Sequence, residues 1–197
     1  MSILFMVAPA ALLYLLTAAQ IWRTSAKDWR EQVLPGFAVL LHGLAIGLQV
    51  FHEGHVTLGV SEAASLFAWQ AALLLWGLSW REPLRSLGLL IYPLAALLAM
   101  LAWAVPGSAA AGLMADWKTR LHILLSLLSA GLLTLAAVQA VALALQDRWL
   151  HQQSQAPLVR GLPPLLTMER LLFQLILIGF CLLSATLLTG LWFLQDW

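Results

Sequence analysis

Six apolar runs, each close to the length that crosses a bilayer, occupy most of this 197-residue chain: 3–22, 33–50, 63–79, 86–105, 121–145 and 171–194. A helix needs about 20 mostly apolar residues to span the hydrocarbon. Within it every backbone N–H and C=O must find its partner internally, which restricts spanning segments to helices and closed barrels. Runs of this length and continuity are helical rather than alternating. The expected fold is therefore all-α: a polytopic integral membrane protein with six transmembrane helices in one bundle, and residues 1–197 as a single domain. Composition agrees. The chain is 62% hydrophobic and 10% charged, against about 25% charged for a soluble domain, and its mean hydropathy is +0.89. So little sequence lies outside the runs that any chemistry belongs inside the bundle or at its rims.

The net charge of +1 conceals an asymmetry. The first, third and fifth connections carry Arg23, Lys27, Arg30, Arg81, Arg85, Arg148, Arg160 and Arg170, whereas the second and fourth carry only Lys118 and Arg120. The positive-inside rule makes the odd connections cytoplasmic. Both termini are then periplasmic in a bacterial inner membrane. The first run lacks the basic leading segment of a secretion signal and reads as a retained helix.

Two of these runs contain histidine. His122 is the one ionisable side chain in 121–145, and His42 repeats the situation in 33–50. A polar ring in hydrocarbon needs a partner, a proton path or a metal. Neutral imidazole is also a standard haem-iron ligand. Each histidine therefore has two readings, a hydrogen-bonded structural group or an iron ligand. At helical spacing His122 shares a face with Ser126 and Ser129, while Ala136, Ala140 and Ala144 form a small-residue row. His42 shares a face with Ala38, Ala45 and Gln49, near Gly43 and Gly47.

Other polar groups are less informative. His52, Glu53 and His55 make a weak local metal set in an outer loop, since zinc wants three or four converging ligands. His151 falls in a cytoplasmic loop. The single Cys181 is expected to be a small buried hydrophobe. No carboxylate lies within a run, which argues against proton-coupled transport. No nucleotide loop, nucleophile with its base or pair of catalytic acids is present, so neither an enzyme nor a nucleic-acid partner is expected. Most of the ten tryptophans fall at run ends, as an interfacial belt requires. Trp69 and Trp76 do not. Seven residues apart on one helix face, they form either core packing or one wall of a ligand pocket.

Three blocks carry a family resemblance: Leu121-His122-Ile123-Leu124-Leu125-Ser126-Leu127-Leu128-Ser129, continuing through 133–140; Leu162-Pro163-Pro164-Leu165-Leu166-Thr167-Met168-Glu169-Arg170; and Leu87-Gly88-Leu89-Leu90-Ile91-Tyr92-Pro93. Together they resemble the membrane cytochrome c assembly (CcsA-like) family, in its YpjD/HemX-type inner-membrane branch. The resemblance implies an inner-membrane protein that binds or hands on haem, of the b type. It implies His122 as first and His42 as second iron ligand, with Ser126 beside the cofactor and Trp69 standing where haem exporters carry a tryptophan-rich motif. The implied partners are the lipid bilayer, haem and other membrane or periplasmic cytochrome-assembly proteins. That branch continues into two further helices with another histidine, whereas this sequence ends at Trp197. Two other classes stay open: a membrane scaffold or subunit with structural histidines, and a b-type electron-transfer cytochrome.

The charge asymmetry yields the first test. A reporter fused after Trp197 should give a periplasmic signal, and one inserted at 152–155 a cytoplasmic signal. The reverse pattern would overturn the orientation.

Overall fold

Helices form wherever the apolar runs occur, and they extend beyond them. The computed structural model describes residues 3–23, 30–52, 55–56, 59–80, 84–105, 117–151 and 164–194. Its elements are α1 (Leu4–Arg23), α2 (Arg30–Val50), a short hairpin of β1 (Phe51–His52) and β2 (His55–Val56), α3 (Val60–Leu78), a 3-10 turn at Arg85–Leu87, α4 (Gly88–Ala104), α5 (Trp117–His151) and α6 (Leu165–Leu194). Pro9, Pro35 and Pro93 each stand at the sixth residue of their helices. Prolines inside helices are tolerated in membrane bundles because neighbouring groups re-satisfy the freed carbonyls.

Among the described residues six helices form, and four of them, α1, α2, α5 and α6, are long and apolar enough by themselves to cross a membrane. Helix α4 is apolar but shorter. Helix α3 has a different character, carrying Glu62, Ser65 and Gln70 among its buried residues. Protein surrounds it: α3 packs against α2, α4 and α5. Its polar side chains therefore need not meet lipid, which explains how a less apolar helix occupies the middle of an apolar bundle.

The packing order is a closed ring followed by a hairpin. Helix α1 lies between α2 and α4, and α3 also lies between α2 and α4, so the first four helices close on themselves. Helices α5 and α6 pack along one another, and α5 docks the pair onto α3 and the 3-10 turn. Inside the ring many residues are small, with Ala10, Ala38, Ala68, Ala71, Ala72, Ala95, Ala96 and Ala99 all buried around the larger Tyr14, His42 and Tyr92. Outside they are large, as at Leu12, Leu16, Leu40, Leu44, Leu97 and Leu101. Lipid tails are as apolar as leucine, so helices gain most by letting backbones approach over small residues while leucines face the hydrocarbon.

Helix limits depart from the apolar runs where charge begins. Helix α5 starts four residues before 121 and ends six after 145, and α6 starts six before 171. Apolarity marks the hydrocarbon-embedded part, while the helix itself continues into the interface with Lys118, Asp147, Arg148, Glu169 and Arg170. The His-Glu-Gly-His segment adds the only strands among the described residues, paired antiparallel with Phe51 opposite Val56 and His52 opposite His55. Glu53 lies outside the described residues.

Close approach within the hairpin depends on Gly179, where an added Cβ would sit 2.9 Å from both Cγ and Cδ2 of Leu133 on α5. At Gly77 an added Cβ meets nothing within 4 Å. Gly179→Leu should therefore destabilise the protein by about 1–3 kcal/mol through overpacking. Gly77→Leu should stay within about 0.5 kcal/mol of the parent. Chemical unfolding in detergent micelles measures both.

Candidate functional site

The structure separates the two membrane histidines into different surroundings. His42 sits within the four-helix ring, 1% exposed. Its Nε2 lies 2.9 Å from Ser65 Oγ on α3, and its Nδ1 lies 3.4 Å from the Tyr14 hydroxyl on α1. The Tyr14 ring meets the imidazole edge-on, with centroids 5.8 Å apart, and stacks on Tyr92 of α4 at 5.7 Å. A neutral imidazole has one donor and one acceptor nitrogen, and a hydroxyl can serve either. Both ring nitrogens are thus satisfied without a metal.

Trp69 and Trp76 turn toward α2. The Trp69 indole Nε1 donates to the Val39 carbonyl at 2.8 Å, and that of Trp76 donates to the Gln32 carbonyl at 2.7 Å. An added Cβ would fall 2.9 Å from the Trp69 ring at Gly43 and 3.1 Å from the Trp76 ring at Gly36. The two tryptophans, the two accepting carbonyls and the two glycines all repeat at seven residues. One contact is made twice along the α2–α3 seam, and the bundle-facing reading of this pair holds.

His122 belongs to the α5–α6 hairpin and is half-buried. Its Nδ1 lies 3.4 Å from Thr189 Oγ1 on α6, and a Cβ at neighbouring Gly190 would sit 3.1 Å from its Cε1. The Thr189 hydroxyl donates its own proton to the Thr186 carbonyl at 2.9 Å. What it offers His122 is therefore a lone pair. That arrangement favours the Nδ1–H tautomer, in which Nε2 keeps the lone pair that a metal ligand requires. Among the described residues Nε2 makes no hydrogen bond. Ser126 does not touch the imidazole through its hydroxyl, which donates to the His122 backbone carbonyl at 2.7 Å. Ser129 bridges the hairpin instead, donating to the Gly179 carbonyl at 3.0 Å.

His42 and Trp69 thus share the ring, and His122 and Ser126 share the hairpin. His151 is exposed, as expected of a solvated group, but it is the last residue of α5 rather than part of a loop, and it contacts Asp147 one turn back. Among the described residues no three His, Cys, Asp or Glu side chains converge as a metal site. Cys181 is exposed on α6 rather than buried, because that helix packs against α5 on one face only. Glu62 is buried in the first turn of α3, since the helix begins three residues before the apolar run. Sequence reasoning overlooked Tyr14, Ser65 and Thr189. Ser65 could have been found, because it lies one turn before Trp69 on the same face.

Removing the Ser65 hydroxyl leaves a buried imidazole nitrogen without its partner. Ser65→Ala should cost about 1–3 kcal/mol, and Trp69→Phe about 1 kcal/mol for its lost indole bond. Unfolding midpoints in detergent check both. A stability unchanged in Ser65→Ala would mean that His42 does not depend on this bond.

Comparison with known proteins places these helices. The profile of the cytochrome c assembly protein family matches residues 37–197. The chain is 28% identical over 172 residues to the inner membrane protein YpjD of Escherichia coli K12, covering 85% of this chain and 65% of YpjD. It is 41% identical over 71 residues to an uncharacterized 28.8 kDa protein of Azospirillum brasilense, covering 36% of this chain and 26% of that protein. The chain thus spans less than two thirds of the length of either relative. No solved structure matches it.

Proposed function

The chain belongs to the cytochrome c assembly protein family, and from that premise we propose that it is an inner-membrane protein that binds and hands on haem, holding it through His122. The observation carrying this reading is the one-sided contact of His122, whose Nδ1 lies 3.4 Å from the Thr189 hydroxyl while Nε2 has no partner among the described residues. Metal-binding histidines characteristically anchor their second nitrogen in this way, and the anchor sets both ring orientation and basicity. The surroundings suit a porphyrin. His122 is only half-buried, and its hairpin exposes Leu121, Leu124, Leu187, Leu188 and Leu191 as apolar surface. When bound, haem b would supply the redox-active iron, and the protein's task is to ligate, orient and release it without covalent chemistry of its own.

In this reading all six helices cross the membrane with both termini periplasmic, and His122 lies about one turn from the outer end of the apolar part of α5. Partners for the released haem are other membrane or periplasmic cytochrome-assembly proteins. His42 ranks second as a ligand, because coordination through Nε2 would require it to leave Ser65. The satisfied His42 ring favours a structural role at that centre, as in a membrane scaffold. An electron-transfer cytochrome with two haems would use four well-placed histidines, and the ring and hairpin supply one each.

A pyridine haemochrome assay on detergent-purified protein tests the proposal. His122→Ala should lose most of the haem while the helical bundle stays folded. Thr189→Val should weaken haem affinity by about 10–100-fold, the usual effect of removing a ligand's anchor. His42→Ala should have the smaller effect on occupancy. Unchanged haem content and Soret spectrum in His122→Ala would make the structural-histidine reading the better one.

A further inference from the structure

A groove of about 210 Å³ opens on the outer surface between the start of α2 and the end of α3, lined by Val33, Gly36, Phe37, Leu40, Trp76 and Trp80, with Gln32 at its lip. Its floor is fixed. Trp76 is held to the Gln32 carbonyl at 2.7 Å, lies against Gly36, and meets Trp80 edge-on at 6.1 Å. Its rim faces outward: Phe37, Leu40 and Trp80 are each more than half exposed. The lip is polar, because the Gln32 amide donates to the Ser79 carbonyl at 3.4 Å and Ser79 Oγ, which donates to the Trp76 carbonyl at 2.8 Å, lies 3.3 Å from Gln32 Oε1.

These features favour a linear amphiphile. From Gln32 to Leu40 the groove follows about 12 Å of helix, close to the roughly 15 Å that one leaflet contributes to a 30 Å hydrocarbon core. Tryptophan at its mouth sits where indoles mark the interface. Charge distinguishes the two ends of these helices. The segments flanking the lip contain Arg23, Lys27, Arg30, Arg81 and Arg85 against Asp28, Glu31 and Glu82, whereas the segment joining the far ends of α2 and α3 contains Glu53, followed by Glu62 in the first turn of α3, and no Lys or Arg. The backbone places Arg30 at the first residue of α2, two residues before Gln32 at the lip. Basic residues beside an interhelical crevice recognise anionic lipid headgroups.

We propose that this groove is a binding site for one anionic phospholipid, with an acyl chain along Phe37, Leu40, Trp76 and Trp80 and the phosphate at the basic end of α2 and α3. The site is independent of haem: it lies on the α2–α3 seam, whereas His122 lies on the α5–α6 hairpin.

Native mass spectrometry of the full chain released from detergent, with dioleoyl phosphatidylglycerol and dioleoyl phosphatidylcholine offered in equal amounts, tests the site. Wild-type protein should retain one phosphatidylglycerol in clear preference. Arg30→Gln should reduce that preference by about fivefold, while Arg148→Gln, an exposed arginine on α5, should leave it unchanged. Phe37→Ala with Leu40→Ala should lower retention of both lipids and keep the preference. Both side chains face outward, so circular dichroism should show the helices intact. Quenching by brominated-chain phosphatidylglycerol in nanodiscs should exceed that by the brominated choline lipid, and Trp80→Phe should reduce the excess. Equal retention of the two lipids, retention of neither, or an equal loss of preference in Arg148→Gln would overturn the proposal.

Discussion

The hydrogen-bonded imidazole of His42 is the constraint around which the four-helix ring is arranged. It stands on α2, bonds Ser65 of α3 through one nitrogen and Tyr14 of α1 through the other, and reaches α4 through the Tyr14–Tyr92 stack. In hydrocarbon, helices gain little from the hydrophobic effect on meeting one another, so packing and interhelical hydrogen bonds decide which faces meet. A buried ring with two polar atoms imposes two conditions on the rotation of its neighbours. Satisfying both brings the Ser65 face of α3 onto α2, and the same face carries Trp69 to the Val39 carbonyl over Gly43. The alanine-lined interior then allows the backbones to close.

The chain holds two histidines of the same chemistry in opposite situations. His42 is enclosed by the ring and engaged at both nitrogens. His122 lies on a two-helix hairpin, half-buried and anchored at one nitrogen only. The difference follows from architecture. A ring of four helices surrounds what lies at its centre, whereas α6 rests on α5 along one face and leaves the other apolar and open, with Phe173, Leu177, Phe180 and Leu188 exposed. The group proposed to take up and release haem lies on the open element, and the group that fixes helix rotation lies in the closed one.

Much of this was legible in the sequence, because apolar length alone locates spanning helices and a histidine in hydrocarbon draws attention to itself. Periodicity also put Trp69 and Trp76 on one inward face. What it could not supply was the helix across the seam. A 3.6-residue repeat shows that His42 has a packed face, yet Ser65 and Tyr14 become its partners only once α1, α2 and α3 are assembled. The haem-handling resemblance pairs Ser126 with His122 by sequence spacing, whereas its hydroxyl turns to the carbonyl one turn back, a local bond that serines in helices often make. Thr189, 67 residues away, supplies the ring's contact. Helix limits were misread for a related reason: hydropathy reports the solvent around a helix, and helical hydrogen bonding does not stop where lipid gives way to water.

The ring and the hairpin meet at α3, and that junction is bonded differently from the ring itself. Gln70 faces Gly131 of α5 so closely that an added Cβ there would lie 2.8 Å from its Nε2, yet among the described residues neither amide atom of this 4% exposed side chain has a hydrogen-bond partner. Leaving such a group unsatisfied costs of the order of 1–3 kcal/mol. That cost falls at the α3–α5 contact, whereas His42 is engaged at both nitrogens within the ring and Ser129 reaches Gly179 across the hairpin seam. Within the hairpin Gln139 also donates to the Met168 carbonyl of α6, while its Oε1 has no partner among the described residues. The junction of ring and hairpin includes close packing over a glycine at Gly131. The haem-ligand candidate His122 lies on the hairpin side of it.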